Sequence, residues 1–223
     1  MAARRISGSG RGIRGDDATA MPAKRRSAKR PPAKRDPASA RELRIIGGRW
    51  RGRRWQFPAA AVIRPTADRV RETLFNWLMD EIAGARCLDA FAGSGALGLE
   101  ALSRGAAEVT FIENDRVAAA AIRDRLQEWS ARGASVLADN ALRWLKHGPV
   151  TYYDIVFLDP PFSAGLLPHA LDTLLARRWL SESALVYVES PPGMLEMPAR
   201  WVLHRSGRAG AVGYHLLRPM GAA

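Results

Sequence analysis

Cysteine is nearly absent from this 223-residue chain. Cys87 stands alone, so neither an internal disulfide framework nor a cysteine-cluster metal site can form. Histidine is scarce too: His147, His169, His204 and His215 show no ligand-like pairing, and no metal is expected. No apolar run approaches the roughly 20 residues of a spanning helix, so no membrane segment is expected. The basic N-terminus is not followed by the apolar stretch of a secretory signal. An Arg- and Ser-containing start raises the thought of an organellar transit peptide, but Asp16, Asp17, Asp36 and the prolines spoil the amphipathic helix it would need. These absences fit a cytoplasmic protein.

The front of the chain also lacks acid. Residues 1–40 carry eleven Lys/Arg against three Asp/Glu, residues 41–80 nine against four, and the remainder fourteen against fifteen. The net charge of +12 therefore sits on the first eighty residues. A cationic front on a neutral body points to a polyanionic partner, nucleic acid first. Residues 1–40 hold almost no bulky side chain and cannot bury enough apolar surface to offset their ordering entropy. They read as a disordered basic arm, or more plainly as a solubilising tail. With 47% apolar residues and seven Trp, the 223-residue chain is long enough for one α/β domain, expected over residues 41–223.

Order is expected from Leu43. Leu43–Ile46 and Arg53–Phe57 flank Gly47, Gly48 and Gly52, which predicts a small basic hairpin over 43–57. Thr66 is a plausible N-cap for a leading helix over 66–82, where Val70, Leu74, Trp77, Leu78 and Ile82 recur at helical spacing. A core over 86–219 follows. Strands are predicted at Cys87–Ala90, Val109–Glu113, Ser135–Ala138, Asp154–Leu158 and Ala184–Glu189, with helices over 116–129, 140–146 and 166–175 between them. Such alternation implies a mostly parallel sheet covered on both sides, a Rossmann-like α/β fold. Trp201–His204 and Val212–Leu217, around Gly207–Gly213, read as a closing hairpin.

The first strand of that core runs into Asp89-Ala90-Phe91-Ala92-Gly93-Ser94-Gly95-Ala96-Leu97-Gly98. Small residues let backbone approach a ligand closely, and the following helix offers unpaired N–H groups. Gly93-x-Gly95-x-x-Gly98 also matches a dinucleotide fingerprint, but that string alone is weak. Asp89 tips the choice: a carboxylate there repels a pyrophosphate and welcomes a ligand bearing sulfonium and ammonium charges. Glu113, followed by Asn114, ends the next strand, where a carboxylate can accept from both ribose hydroxyls of either an NAD or an S-adenosylmethionine. Asp139-Asn140 follows the third strand, placed to meet an adenine amino group or to cap the next helix. The expected cofactor set is therefore Asp89, Phe91, Ala92, Gly93, Gly95, Glu113, Asn114, Asp139 and Asn140, with Asp159.

Asp159-Pro160-Pro161-Phe162, at the end of a buried strand, is the strongest signal in the chain. The prolines fix φ, stiffen the loop and leave its carbonyls free to accept. An exocyclic amine needs two acceptors to hold its hydrogens, and the Asp159 carboxylate and Pro160 carbonyl can supply them. Phe162 can stack on an extruded base. The chemistry implied is direct in-line methyl transfer to an amino nitrogen. Cys87, inside a strand, reads as core.

These features resemble the class I S-adenosylmethionine-dependent methyltransferases. Leu43-Arg44-Ile45-Ile46-Gly47-Gly48-x-Trp50-Arg51-Gly52 and Arg64-Pro65-Thr66-x-Asp68-Arg69-Val70-Arg71-Glu72 through Leu78 narrow the likeness to the RsmD family. Val156-Phe157-x-Asp159-Pro160-Pro161-Phe162 and Tyr187-Val188-Glu189-Ser190 extend it, over roughly residues 43–218. The resemblance implies a seven-stranded sheet with an antiparallel last strand and an N-terminal hairpin extension. It also implies methylation of a guanine 2-amino group in small-subunit (16S) ribosomal RNA, presented on a partly assembled subunit. A monomer is expected. In that light Arg49, Arg51, Arg53 and Arg54 beside Trp50 and Trp55 read as an RNA contact, or as a packed hairpin with Arg tips in water. Arg64, Arg69 and Arg71 either line the substrate side or pair with Asp68 and Glu72. Without the resemblance, an adenine-N6 or protein-amide methyltransferase fits the residues equally well. An NAD(P)-dependent oxidoreductase leaves Asp159–Phe162 without a use, and a non-catalytic ribosome-assembly factor leaves the intact acids unexplained.

Overall fold

A computed structural model describes residues 41–57, 68–149, 151–162, 165–191 and 197–221. The expected arm over 1–40, the Thr66 cap and Arg64 lie outside these residues. Runs of β-branched and apolar residues become the strands of one sheet: β3 (Arg86–Asp89), β4 (Glu108–Glu113), β5 (Ala134–Ala138), β6 (Tyr153–Leu158), β7 (Leu180–Ser190), β8 (Trp201–Ala209) and β9 (Val212–Pro219). Their order is β5-β4-β3-β6-β7-β9-β8. The first five are parallel, and β9 runs antiparallel to both β7 and β8.

Helices α2 (Ala96–Ser103), α3 (Arg116–Glu128), α4 (Ala141–Lys146) and α5 (Leu166–Ala176) supply the crossovers. Side chains alternate along each strand, so the sheet serves two cores. Cys87, Phe111, Phe157 and Tyr187 fill one, under α2, α3 and the leading helix α1 (Asp68–Trp77). Leu88, Ile112, Val156 and Val188 fill the other, with Leu145 and Leu171 of α4 and α5. Among the described residues, no helix is long and apolar enough to cross a membrane.

Three elements depart from expectation. The leading helix stops at Trp77 rather than at residue 82, and the chain continues in turns to Gly84. Leu78 and Ile82 stay buried through these turns, which is why their spacing looked helical. Strand β7 begins four residues before Ala184, taking in the polar Ser181–Ser183. The closing hairpin turns only at residues 210–211, and Gly207 lies inside β8. A Cβ on Gly207 would lie 2.4 Å from the ring of its cross-strand partner Tyr214. This glycine serves close approach within a strand, where the sequence suggested a turn.

The N-terminal hairpin forms from β1 (Arg41–Arg44) and β2 (Arg54–Phe57), paired antiparallel, with a short 3₁₀ turn over Gly48–Trp50. It is bolted to α2. The fully buried Glu100 accepts the N–H groups of Ile46 and Gly47 at 2.8 Å each, and Arg104 Nε at 2.8 Å. Ser103 Oγ accepts from the Trp50 N–H at 3.0 Å and donates to the Gly47 carbonyl at 2.6 Å.

Two readings of the RNA set are corrected here. Trp50 is buried, its ring 5.1 Å from that of Trp129, so its flat face packs the hairpin onto α3 instead of stacking on a base. Arg71 is fully buried as well. Its NH2 donates to the Arg44 carbonyl at 2.9 Å and to Asp68 at 2.6 Å, and its NH1 lies 3.8 Å from Glu100. It is an internal clamp, which agrees with the alternative pairing to Asp68.

Candidate active site

A doubly wound sheet opens a crevice where its strand order reverses, outside the carboxyl ends of the strands. Here the chain starts at β3, winds out through β4 and β5, and returns to β6 on the other side of β3. The crevice therefore lies over the ends of β3 and β6, where Asp89 and Asp159 stand.

Register shows how the acids line up. Asp89 pairs with Phe111 on one side and Phe157 on the other, and Phe157 pairs with Tyr187. Two residues beyond Phe111, Phe157 and Tyr187 come Glu113, Asp159 and Glu189. Glu113, Asp89, Asp159 and Glu189 thus form a row across four adjacent strand ends, on one face of the sheet.

Asp89 is buried, and one oxygen accepts the Gly98 N–H in the first turn of α2 at 2.9 Å. Burial pushes its carboxyl up to about 7. The Gly98 bond opposes that rise and the Glu113 charge adds to it. Gly95 takes the left-handed conformation that starts α2, at φ 77°. At Gly98 a Cβ would lie 2.2 Å from the Phe111 ring, so α2 can approach β4 this closely only with glycine. Glu113 ties the crevice together: Oε2 accepts the Gly93 N–H and Oε1 the Asp115 N–H, each at 2.7 Å. Phe91 and Gly93 are half-buried, Ala92 is buried and Asn114 is exposed.

The helix after β5 is capped by Asn140, whose side chain accepts the Arg143 N–H at 3.0 Å. Asp139 instead pairs with Arg143, which holds its carboxyl below the usual range. Cys87 faces the core, and burial with the Asp154 and Asp89 charges raises its thiol pKa far above normal.

At the end of β6, Asp159 is half-buried, Pro160 buried, Pro161 exposed, and Phe162 39% exposed. Beside it the Tyr187 hydroxyl donates to Glu189 at 2.7 Å. Burial, then the Glu189 and Asp159 charges, raise the Tyr187 pKa well above that of a free phenol, so both carboxylates act on one hydroxyl. The site reading from sequence had left out Tyr187 and Glu189. Their signal was a buried apolar strand ending in an acid, as in Cys87–Asp89 and Val109–Glu113. Trp55, named beside the hairpin arginines, is buried and follows the packed-hairpin reading: its indole N–H points to the Ser94 carbonyl at 3.4 Å and joins the hairpin to the glycine loop.

The hairpin arginines lie elsewhere. Arg49, Arg51, Arg53 and Arg54 are exposed, Arg49 over the Trp50 ring at 4.1 Å and Arg54 paired with Glu42. The tip they crown packs on Ser103 and Trp129, at the far ends of α2 and α3. From the glycine loop to that end, α2 spans about 12 Å. Arg69 is exposed on α1.

A family model described as Conserved hypothetical protein 95, the RsmD family, matches residues 43–218. The chain belongs to this family. An Escherichia coli K12 relative, "Ribosomal RNA small subunit methyltransferase D", is 50% identical over 177 residues, spanning 78% of this chain and 89% of the relative. The solved structure of the putative methyltransferase yhhF from Escherichia coli is 47% identical, with a TM-score of 0.73, covering 81% of this chain and 99% of that one. A Thermus thermophilus 16S rRNA N2 G1207 methyltransferase, solved with AdoMet and guanosine, shares the fold at 22% identity and a TM-score of 0.61, covering 81% of this chain and 50% of that one. The RsmD-family chain is a class I methyltransferase in fold: a seven-stranded, mostly parallel sheet with β9 antiparallel and an N-terminal hairpin.

Proposed function

We propose that this chain uses S-adenosylmethionine to methylate the exocyclic 2-amino group of a guanine in small-subunit ribosomal RNA. One observation carries the reading: the register sets Asp159-Pro160-Pro161-Phe162 beside Asp89 at the switch point of the sheet, with Glu113 one strand away. The acids fit the cofactor. Burial pushes the Asp89 carboxyl up to about 7, and a sulfonium with an α-ammonium would supply the positive charge that favours its ionised form. Each Glu113 oxygen takes one backbone N–H and keeps lone-pair capacity for a ribose hydroxyl. Asp139 accepts from Arg143 and can share its carboxylate with an adenine amine. A pyrophosphate would meet the like charges of Asp89 and Glu113 beside the glycine loop, which disfavours the oxidoreductase reading.

When bound, the cofactor supplies a methyl group on positively charged sulfur, open to attack by an amine. The protein's part is to present that amine. The Asp159 carboxylate and the Pro160 carbonyl accept its two hydrogens and turn its lone pair toward the methyl group. Pro161 stiffens the path, and Phe162 offers an exposed ring for the extruded base. Holding two reactants in line accounts for about 7–11 kcal/mol of a barrier, so no covalent nucleophile is required. Arg49, Arg51, Arg53, Arg54 and Arg69 would contact phosphates away from the target base, which suits a structured RNA within an assembling subunit. The relatives' name supports the RNA class.

The test is to incubate the protein with methyl-labelled S-adenosylmethionine and small subunits from cells lacking it, then map the label by mass spectrometry. The reading predicts label on guanine N2. Label on adenine N6 or on a ribosomal protein would overturn it.

A further inference from the structure

Among the described residues, strand β8 forms one outer edge of the sheet, paired with β9 alone. Residues 202–206 and 208 are exposed. An open strand edge invites pairing with other chains, and proteins blunt it with charges or irregularities. A register shift between Leu203 and Arg205 already interrupts this edge. Charges of either sign would serve that purpose, so their sign carries further information. Residues 197–221 hold Arg200, Arg205, Arg208 and Arg218 and no acid, whereas residues 81–196 hold ten Lys/Arg against fifteen Asp/Glu. The basic stretch thus follows a segment, residues 81–196, that is net acidic.

Its placement is equally specific. β8 runs antiparallel to β9 and β9 antiparallel to β7, so β8 ends at the same edge as the catalytic strands. Arg208 pairs with Gly213, which pairs with Ser190, the residue after Glu189. The positive field is felt locally: burial, then the Arg218 and Arg205 charges, lower the His204 pKa, against a weaker pull from Glu81. Glu81 approaches Arg218 only to 3.9 Å.

We infer that β8 and its turn form a second RNA-contact surface that wraps the sheet edge, with Arg205 and Arg208 engaging phosphates beside the target nucleotide. Arg205 lies on the face of the catalytic acids, and Arg208 on the opposite face, its Nε donating to the Gly210 carbonyl of the turn at 3.1 Å. The inference rests on the reading of the chain as an RNA methyltransferase. A nine-residue strand is about 30 Å long and can follow several nucleotides. β6 stands between β8 and the half of the sheet over which α2, α3 and the hairpin pack, so the substrate is held from both sides of Asp159.

The test compares wild type with the variants Arg205→Ser/Arg208→Ser and Arg205→Lys/Arg208→Lys. Binding to a protein-free small-subunit rRNA fragment is measured across salt concentrations, and S-adenosylmethionine affinity serves as the folding control. The serine pair should make the log–log salt slope shallower by about 1.4–1.8 and raise KM for small subunits, with kcat at saturation and cofactor affinity unchanged. The lysine pair should keep the wild-type slope. An unmoved slope for the serine pair, with wild-type methylation intact, overturns this surface alone. An unmoved slope with a raised KM on protein-containing subunits assigns the edge to an acidic protein and also overturns it. If wild type methylates no RNA, the functional reading falls and this surface with it.

Discussion

Lowering the pH from about 7.5 to about 5.5 should weaken S-adenosylmethionine binding about 25-fold, and Asp89 should be the cause. Its carboxyl sits at about 7 in the free protein, against 3.8 in an unfolded chain, chiefly because it is buried. A cationic ligand favours the ionised form and pulls that value down, so below about pH 7 binding must expel a proton. Affinity then falls tenfold for each further pH unit until the bound-state value is reached. Calorimetry in buffers of different ionisation enthalpy should show close to one proton released at about pH 6, below the range of about 7.7–8.0 where an α-amino group titrates. Linkage gives a second readout. A carboxyl raised on folding stabilises the native state below 3.8, and that contribution is lost as pH climbs through 7. Near neutrality the loss is at most about 4 kcal/mol, so Asp89→Asn should stabilise the ligand-free protein there while weakening binding. The same variant should show no pH dependence in the window. A wild type whose affinity is flat over it, or a variant that keeps the slope, refutes the reasoning.

Two further perturbations test the frame around the crevice. Glu113→Ala should remove charge-assisted bonds worth about 1.5–3 kcal/mol, a ten- to 150-fold loss of cofactor affinity by calorimetry. An unchanged Kd would count against its ribose role. Glu100→Ala leaves buried Arg71 with Asp68 as its carboxylate and takes the acceptor from the Ile46 and Gly47 N–H groups and from Arg104, which should cost about 3–5 kcal/mol in denaturant unfolding. A loss below about 1 kcal/mol would mean that the hairpin is not anchored through this carboxylate.

Local pattern and tertiary pairing divided what could be read in advance. The order of strands and helices, the glycine loop and the acids at Asp89, Glu113 and Asp159 are written in short-range periodicity and turn chemistry. The row they form is not, because register depends on strands that meet only after folding. Arg71 could be read as an RNA contact or as a partner of Asp68 because the partners that bury it, Glu100 and the Arg44 carbonyl, lie 29 and 27 positions away. Trp50 looked available because Trp129 is remote in sequence. Gly207 imitated a turn because the Tyr214 ring that requires a glycine there sits on the neighbouring strand. Charge counted in large blocks also hid the acid-free stretch at residues 197–221 inside a nearly neutral total.

The central claim is that Asp159 and Pro160 hold an aryl amine against the methyl donor at the end of β6. Its most direct test is single-turnover methyl transfer by Asp159→Ala on small subunits, with S-adenosylmethionine binding measured on the same preparation. The account predicts transfer reduced at least about 100-fold, as for the loss of a group oriented at the reacting centre, with cofactor affinity changed little. Transfer at close to the wild-type rate would contradict it.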